Sequence, residues 1–293
     1  RDMFPEAVRA VRELKPKAFI FENVKGLLRK SFSTYFNYIL LQLTYPDIVR
    51  KDNETWVEHL GHLEKLHTSG HYNGTKYNVV PRLLNAADYG VPQIRHRVVI
   101  VGFREDLGVE WSFPDGEYSR EALLYSKFVT GEYWDIHKIA TKHRSAPPQA
   151  DLKKAEQFAS KYAGYKDKPR PWKTVRDAIF DLPDPRSNAA IGVPNHEFRP
   201  GARSYTGHTG SILDEPSKTI KAGSHGVPGG ENSVVLDDGS VRYYTVRESA
   251  RIQTFPDDYL FFGSWTESMR QIGNAVPVKL AQMVGASIVK ELQ

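Results

Sequence analysis

Near the start of the chain Phe4, Ala7, Val8, Val11 and Leu14 recur at helical spacing, which predicts an amphipathic helix with Pro5 in its tolerant first turn. Pro16 ends that helix. The unalternating run AFIF (18–21) follows and reads as a strand covered on both faces, the pattern of a parallel sheet. It runs straight into Glu22 and Asn23, so a segment that looks buried ends on a carboxylate. A second helix is expected from Phe32 to Leu43, on the ring and leucine spacing of STYFNYILLQL. KYNVV and RVVIVGF (97–103) read as two further strands with NAADYGVPQ between them. Residues 1–104 are therefore expected to form an α/β layer.

From about 105 to 241 Pro, Gly, Ser and Asn punctuate the pattern, and few periodic helices are expected. Within it, 141–176 is strongly basic, which suits either a solvated face or a phosphate-contacting surface. The stretch 206–232 is rich in glycine and small polar residues. Regular helices return at Thr245, which with Glu248 forms a capping box, and Pro256 stops that helix. Ser264 and Glu267 repeat the device before WTESMRQI, which should end at Gly273. Pro277 then opens a last helix with Leu280, Val284 and Ile288 on one face. There is no internal repeat.

At 293 residues, 40% hydrophobic and 26% charged, the chain has the composition of a globular protein with a sizeable core. The net charge of +5 and pI of about 9.1 are compatible with a polyanionic partner. No apolar stretch approaches the roughly 20 residues of a membrane helix, so no membrane partner is expected. RDMFPEAV resembles neither a signal nor a transit peptide. A chain that starts at Arg1, directly on a helix, reads as trimmed or partial. The absence of cysteine excludes disulfides, zinc–thiolate sites and thiol nucleophiles within these residues. SHGVPGGEN lacks the grammar of a phosphate-binding P-loop, and His59, His62 and His67 form no H-E-x-x-H, so surface or capping histidines are expected.

Three segments taken in order change the picture. FENV (21–24), NAADYGVPQIRHRVVIVGFR (85–104), and RESARIQTFPDDY with QIGNAVPVKLA (247–281) closely resemble the later motifs of DNA (cytosine-5) methyltransferases. The family's ENV matches Glu22, Asn23 and Val24, and its Q-x-R-x-R matches Gln93, Arg95 and Arg97. Its R-E-x-A-R-x-Q-x-F-P-D block matches Arg247, Glu248, Ala250, Arg251, Gln253, Phe255, Pro256 and Asp257. G-N-A-V-P matches Gly273 through Pro277, and even the segment before ENV has the family's look. The resemblance spans nearly the whole chain. Two family elements are missing, the Gly-rich motif for S-adenosylmethionine and the Pro-Cys loop that carries the nucleophile.

The resemblance implies a doubly wound, Rossmann-like α/β methyltransferase sheet, incomplete at its N-terminal side, with a smaller, irregular β-rich target-recognition domain. The expected boundaries are 1–112 for a partial catalytic domain, 113–241 for target recognition and 242–293 for a return to the catalytic domain. The implied reaction flips a cytosine out of a duplex, adds a thiolate to carbon 6 and methylates carbon 5. Glu22, partly desolvated at a strand end, would hold a proton for ring nitrogen 3 and accept from the exocyclic amine. Arg97 would stabilise the carbonyl oxygen, with Arg95 close to the thiol loop and the neighbouring phosphate. Gln93 is expected to be structural, and Arg247, Glu248 and Arg251 to form a supporting ion-pair cluster. Asn274 and Ala275 match the family's cofactor-contacting turn. SKTIKAGSHG resembles its recognition loop, which places Thr219 at the phosphate beside the flipped nucleotide. Lys221, Ser224, His225, Arg203 and His208 are candidates for phosphate or base-edge contacts.

The expected partners are double-stranded DNA and a missing N-terminal segment or complementary chain carrying the Pro-Cys loop. The expected setting is a prokaryotic, nucleoid-associated cytoplasm, in a restriction-modification or similar system. A non-catalytic DNA-binding or regulatory subunit of a split enzyme is the alternative, and the residues encoded before Arg1, or those of a co-purifying chain, discriminate the two.

Overall fold

In the computed structural model, which describes residues 3–206, 209–222 and 232–293, two units separate. The first comprises Arg1–Leu84, His96–Pro114 and Val284–Gln293, and the second Asn85–Arg95 and Asp115–Met283. The architecture is α/β.

In the first unit, helix α1 (Phe4–Leu14) turns Val8 and Val11 inward and ends on Lys15 in the left-handed region, just before Pro16. Strand β1 (Ala18–Val24) follows, then α2 (Ser33–Thr44), α3 (Trp56–Ser69), β2 (Tyr77–Asn85) and β3 (His96–Arg104). The sheet order is β1-β3-β2, and β1 runs antiparallel to β3. The apolar run at 18–21 predicts a parallel strand, so its direction is a correction. Its physical reason lies in β3, which has a partner strand on each side and is buried continuously from Val98 to Phe103. An unbroken apolar run reports coverage of both faces, not strand direction. In β1 itself burial alternates. Phe19 packs with Val8, Val11, Ile39, Leu43, Tyr77, Val98 and Ile100, while Ile20 and Val24 are 47% and 56% exposed on the other face.

Helix α3 begins in a capping box at Thr55–Glu58 and buries His59, Leu60 and Leu63 against α2. His59 is 1% exposed, and its Nδ1 lies 2.9 Å from the Tyr38 hydroxyl. It is a core residue, not a surface or capping histidine, because the inward face of α3 passes through it.

The second unit holds more helix than its sequence texture predicts. After β4 (Tyr118–Ser119) come α4 (Arg120–Phe128), α5 (Glu132–Ile136), α6 (Gln149–Lys161), β5 (Arg170–Pro171) and α7 (Val175–Ile179). Two start signals were there to be read. Ser119 caps α4, and T-V-R-D at 174–177 makes a full capping box. A small sheet follows in the order β6-β7-β8 (Ser211–Ile212, Ser233–Val235, Val241–Tyr243). The core of this unit gathers Val175, Ile220, Val234, Tyr244, Ala250, Ile252, Met269 and Ile272.

Helix α8 (Val246–Ile252) starts in the Thr245–Glu248 capping box. Helix α9 (Trp265–Asn274) receives only half of the expected device. Ser264 accepts from the Glu267 amide, while the Glu267 carboxylate turns to Arg270 at 2.5 Å. A last helix, α10 (Val278–Leu292), continues from this unit into the first from Val284 on. An 18-residue window within Trp265–Leu292 is apolar enough for a membrane span by composition, with a mean hydropathy of 1.3. The run is nevertheless two helices, broken where Ala275 becomes extended, and each turns apolar residues into protein.

Candidate active site and recognition loop

The opening carboxylate meets its partner in the first unit. In the β1–β3 register Glu22 lies opposite Val99 and Val24 opposite Arg97. Glu22 and Arg97 are therefore diagonal neighbours on one face of the sheet, a separation that long side chains span. Arg97 Nε lies 2.5 Å from Glu22 Oε1, with the two side chains 11% and 29% exposed. Arg97 Nη1 also donates to the His96 carbonyl at 2.8 Å. Burial holds Arg97 below the usual guanidinium range, and Glu22 works against that shift. Beside the pair, Met3, Phe4, Ala7, Phe21, Leu27 and Phe32 line an open concavity of about 480 Å³ that includes Glu22 and Asn23. Glu22 thus stands on the wall of an apolar hollow with Arg97 behind it, and a carboxyl group so placed can bind a flat polar ring by its edge.

Arg95 does something else. It belongs to the second unit, is fully buried, and sends Nη1 to the Ile220 carbonyl at 2.9 Å. Its Nη2 donates to the carbonyls of Gly273 and Ala275 at 2.6 and 3.0 Å. The sequence places Arg95 near a thiol loop and a phosphate; in the structure its two Nη atoms donate to three backbone carbonyls. Arg95 ties the 217–222 loop to the 273–275 turn. Gln93 adds to the same clamp, its Oε1 accepting from the Ile220 amide at 3.0 Å, and Ile94 N donates to the Ser217 carbonyl at 2.9 Å. Gly273 must be glycine here, since a Cβ would stand 2.3 Å from the Ala222 nitrogen and 2.4 Å from the Lys221 carbonyl carbon.

Thr219 Oγ1 donates to the Ile94 carbonyl at 2.8 Å, so its one hydroxyl proton is already used, and a phosphate would have to take it over. The Lys221 backbone is pinned by Asn232, which accepts from its amide at 3.0 Å and donates to its carbonyl at 3.2 Å. Asn232 carried no motif signal, and only the fold shows its task. Arg203 lies exposed in a loop. His208, Ser224 and His225 lie outside the described residues. Asn274 is exposed at the end of α9, and Ala275 is half-buried with its carbonyl held by Arg95.

The block at 247–257 is scaffolding of two kinds. Arg247 is 1% exposed and donates to the carbonyls of Pro194, Pro256 and Tyr259, so it is chiefly a carbonyl clamp. Glu248 takes a two-pronged contact from Arg242 at 2.7 and 2.6 Å, and Arg251 binds Asp257 and Asp181.

The family model for C-5 cytosine-specific DNA methylase matches residues 1–45 and 46–290. Among curated relatives, the type II methyltransferase M.MthTI of Methanothermobacter thermautotrophicus is 30% identical over 98% of this chain and 70% of its own length. M.SacI of Streptomyces achromogenes is 31% identical over 99% of this chain and 64% of its own length. The chain thus spans about two thirds of the length of these relatives. The Dnmt2 methyltransferase of S. pombe aligns over 99% of this chain at 15% identity and a TM-score of 0.49.

Proposed function

Because the chain belongs to the C-5 cytosine-specific DNA methylase family, we propose that it supplies the base-binding and DNA-recognition parts of a DNA (cytosine-5) methyltransferase of the restriction-modification type. The carrying observation is the Glu22–Arg97 contact. Ring nitrogen 3 and the carbonyl oxygen of cytosine are adjacent, so the groups that bind them must be neighbours.

In this reading the flipped base enters with its polar edge toward β1 and β3. Arg97 turns from Glu22 to the carbonyl oxygen, where a fixed cation in a dry site stabilises growing negative charge. Glu22 delivers a proton to nitrogen 3 as electron density arrives there from the bond formed at carbon 6, and its other oxygen accepts from the exocyclic amine. The attacking thiolate must come from residues outside this sequence, which contains no cysteine. S-adenosylmethionine, the family's cofactor, supplies the methyl electrophile when bound. Asn274 has an exposed side chain that would reach it, while the Ala275 carbonyl is taken by Arg95 and its amide by Gln271 and Ile272, so the fit covers a small part of such a ligand. The 217–222 loop, held by Arg95 and Gln93, would present Thr219 and Lys221 to the duplex, with Arg203 as a further phosphate contact. A cytoplasmic, nucleoid-associated setting accords with this reading.

The test uses the 293-residue chain alone and completed by a polypeptide carrying the Pro-Cys loop. Alone it should bind duplex DNA and transfer no methyl group. In the completed enzyme, Glu22→Gln should lower turnover by about 100-fold or more with duplex affinity nearly unchanged. Turnover by the chain alone, or full activity of Glu22→Gln, would overturn the reading.

A further inference from the structure

The lobe built from α4 to α6 carries a charged surface that no motif accounts for, and we propose that it grips the sugar-phosphate backbone of duplex DNA beyond the target site. This rests on the DNA reading above. Between Lys161 and Lys173 five cations, Lys161, Lys166, Lys168, Arg170 and Lys173, face one acid, Asp167. Lys161, Lys166, Lys168 and Arg170 are exposed. Among the described residues, Lys161, Lys166 and Lys168 have no carboxylate within ion-pair distance, and Arg170 meets Glu117 only at 3.8 Å.

Three of these cations, Lys161, Lys168 and Arg170, are held against rings. Tyr125 on α4 packs on Phe158 of α6 at 5.5 Å, Phe158 on Tyr162 at 4.7 Å, and Tyr162 on Tyr165 at 6.3 Å. Lys168 Nζ sits 5.4 Å from the Tyr125 ring centre, Lys161 Nζ 5.1 Å from that of Tyr162, and the Arg170 guanidinium 5.9 Å from that of Tyr118. A ring face holds a cation in place without neutralising it, as a carboxylate would. The charge therefore stays available to an anion. On α6, Lys153 and Lys154 are also exposed, as is the acid Glu156. Several separate exposed cations, three of them held against rings, fit a polyanion of repeated phosphates better than a small ligand. Tyr125 and Tyr162 already carry cations, which leaves Tyr165, 67% exposed, as the ring free of one; with more cations than open rings the surface suits the phosphates of a duplex better than stacked bases of a single strand.

The experiment measures binding of the 293-residue chain to a duplex of about 30 base pairs between about 50 and 200 mM salt. Replacing Lys161→Gln, Lys166→Gln, Lys168→Gln and Arg170→Gln together should make the log–log salt dependence shallower by about three units and weaken binding at least ~10-fold. A control set, Lys51→Gln, Lys65→Gln and Lys290→Gln, should leave the slope nearly unchanged. Should the fourfold variant fail to fold by circular dichroism, Lys166→Gln with Lys168→Gln should still lower the slope by about two units. If the unaltered chain binds no duplex, the DNA reading itself fails. If it binds and the lobe variants keep its slope, or lose no more than the control set, this surface is not a DNA contact and the DNA reading stands. A Tyr165→Ala loss confined to single-stranded DNA would also overturn the duplex assignment.

Discussion

Replacing Arg95 by methionine separates an arginine that ties a loop from one that meets a carboxyl group at the candidate site. Methionine keeps most of the buried stem and removes every donor. Each carbonyl left buried without a donor costs about 1–3 kcal/mol. The Ala275 carbonyl retains a distant approach from Gln253 Nε2 at 3.5 Å, so Ile220 and Gly273 bear most of the loss. Removing a buried guanidinium returns part of its desolvation cost. The balance is a destabilisation of about 3 kcal/mol, a large share of a domain's total of about 5–15 kcal/mol. Arg97→Met should behave differently. Glu22 is 29% exposed and can be rehydrated, so the loss should be about 1 kcal/mol or less.

Urea unfolding of the 293-residue chain, followed by circular dichroism and tryptophan fluorescence, reads both variants. Arg95→Met should lower the midpoint clearly at an unchanged slope, with Arg97→Met close to the parent. Arg95→Lys should fall between, because an ammonium cannot reach three carbonyls from one planar fork. The reasoning is refuted if Arg95→Met unfolds with the parent, or if Arg97→Met is the less stable of the two.

Two further outcomes follow from the packing. Gly273→Ala forces a Cβ to within 2.5 Å of the backbone at Lys221 and Ala222, so the loop must shift; a loss of about 1–3 kcal/mol in urea and weaker duplex binding are expected, and parent-like values for both would contradict the close approach. Burial pushes His59 below the ordinary imidazole value, so the unfolded chain binds the proton more readily. Its contribution is complete above the unfolded value near ~6.5 and is lost as pH falls from there toward the folded value, with a slope of at most about 1.4 kcal/mol per pH unit. Urea midpoints at several pH values should show this, and His59→Gln should flatten that window; an unchanged slope in the variant would assign the effect elsewhere.

Helix α1, β1, α2 and the capped start of α8 were legible because local periodicity and capping chemistry decide them. Direction and coverage of β1 were not, since pairing with β3 joins residues some eighty positions apart in sequence, as in Ala18 opposite Phe103. The helices between 120 and 179 were obscured by intervening Pro and Gly, although Ser119 and Thr174 announced two of them. Asn232 could not be found at all, because a carboxamide that pins a backbone eleven residues away leaves no local pattern.

The two arginines of QIRHR show where periodicity stops being informative. Spacing of two puts Gln93, Arg95 and Arg97 on one face only if all three stand in a strand. Strand β3 begins at His96. Before it, Arg95 is held by Asn85, whose Oδ1 accepts from its amide at 3.3 Å, and its carbonyl accepts from Ala86 at 2.9 Å. That loop sends the Arg95 side chain to Ile220, Gly273 and Ala275, while Arg97, inside the strand, follows the pleat to Glu22. Two identical residues at strand spacing are thus divided by one boundary. One guanidinium is surrounded by carbonyls of its own chain and fixes a loop; the other faces a carboxyl group at the edge of an apolar hollow, where a ligand can exchange with its partner.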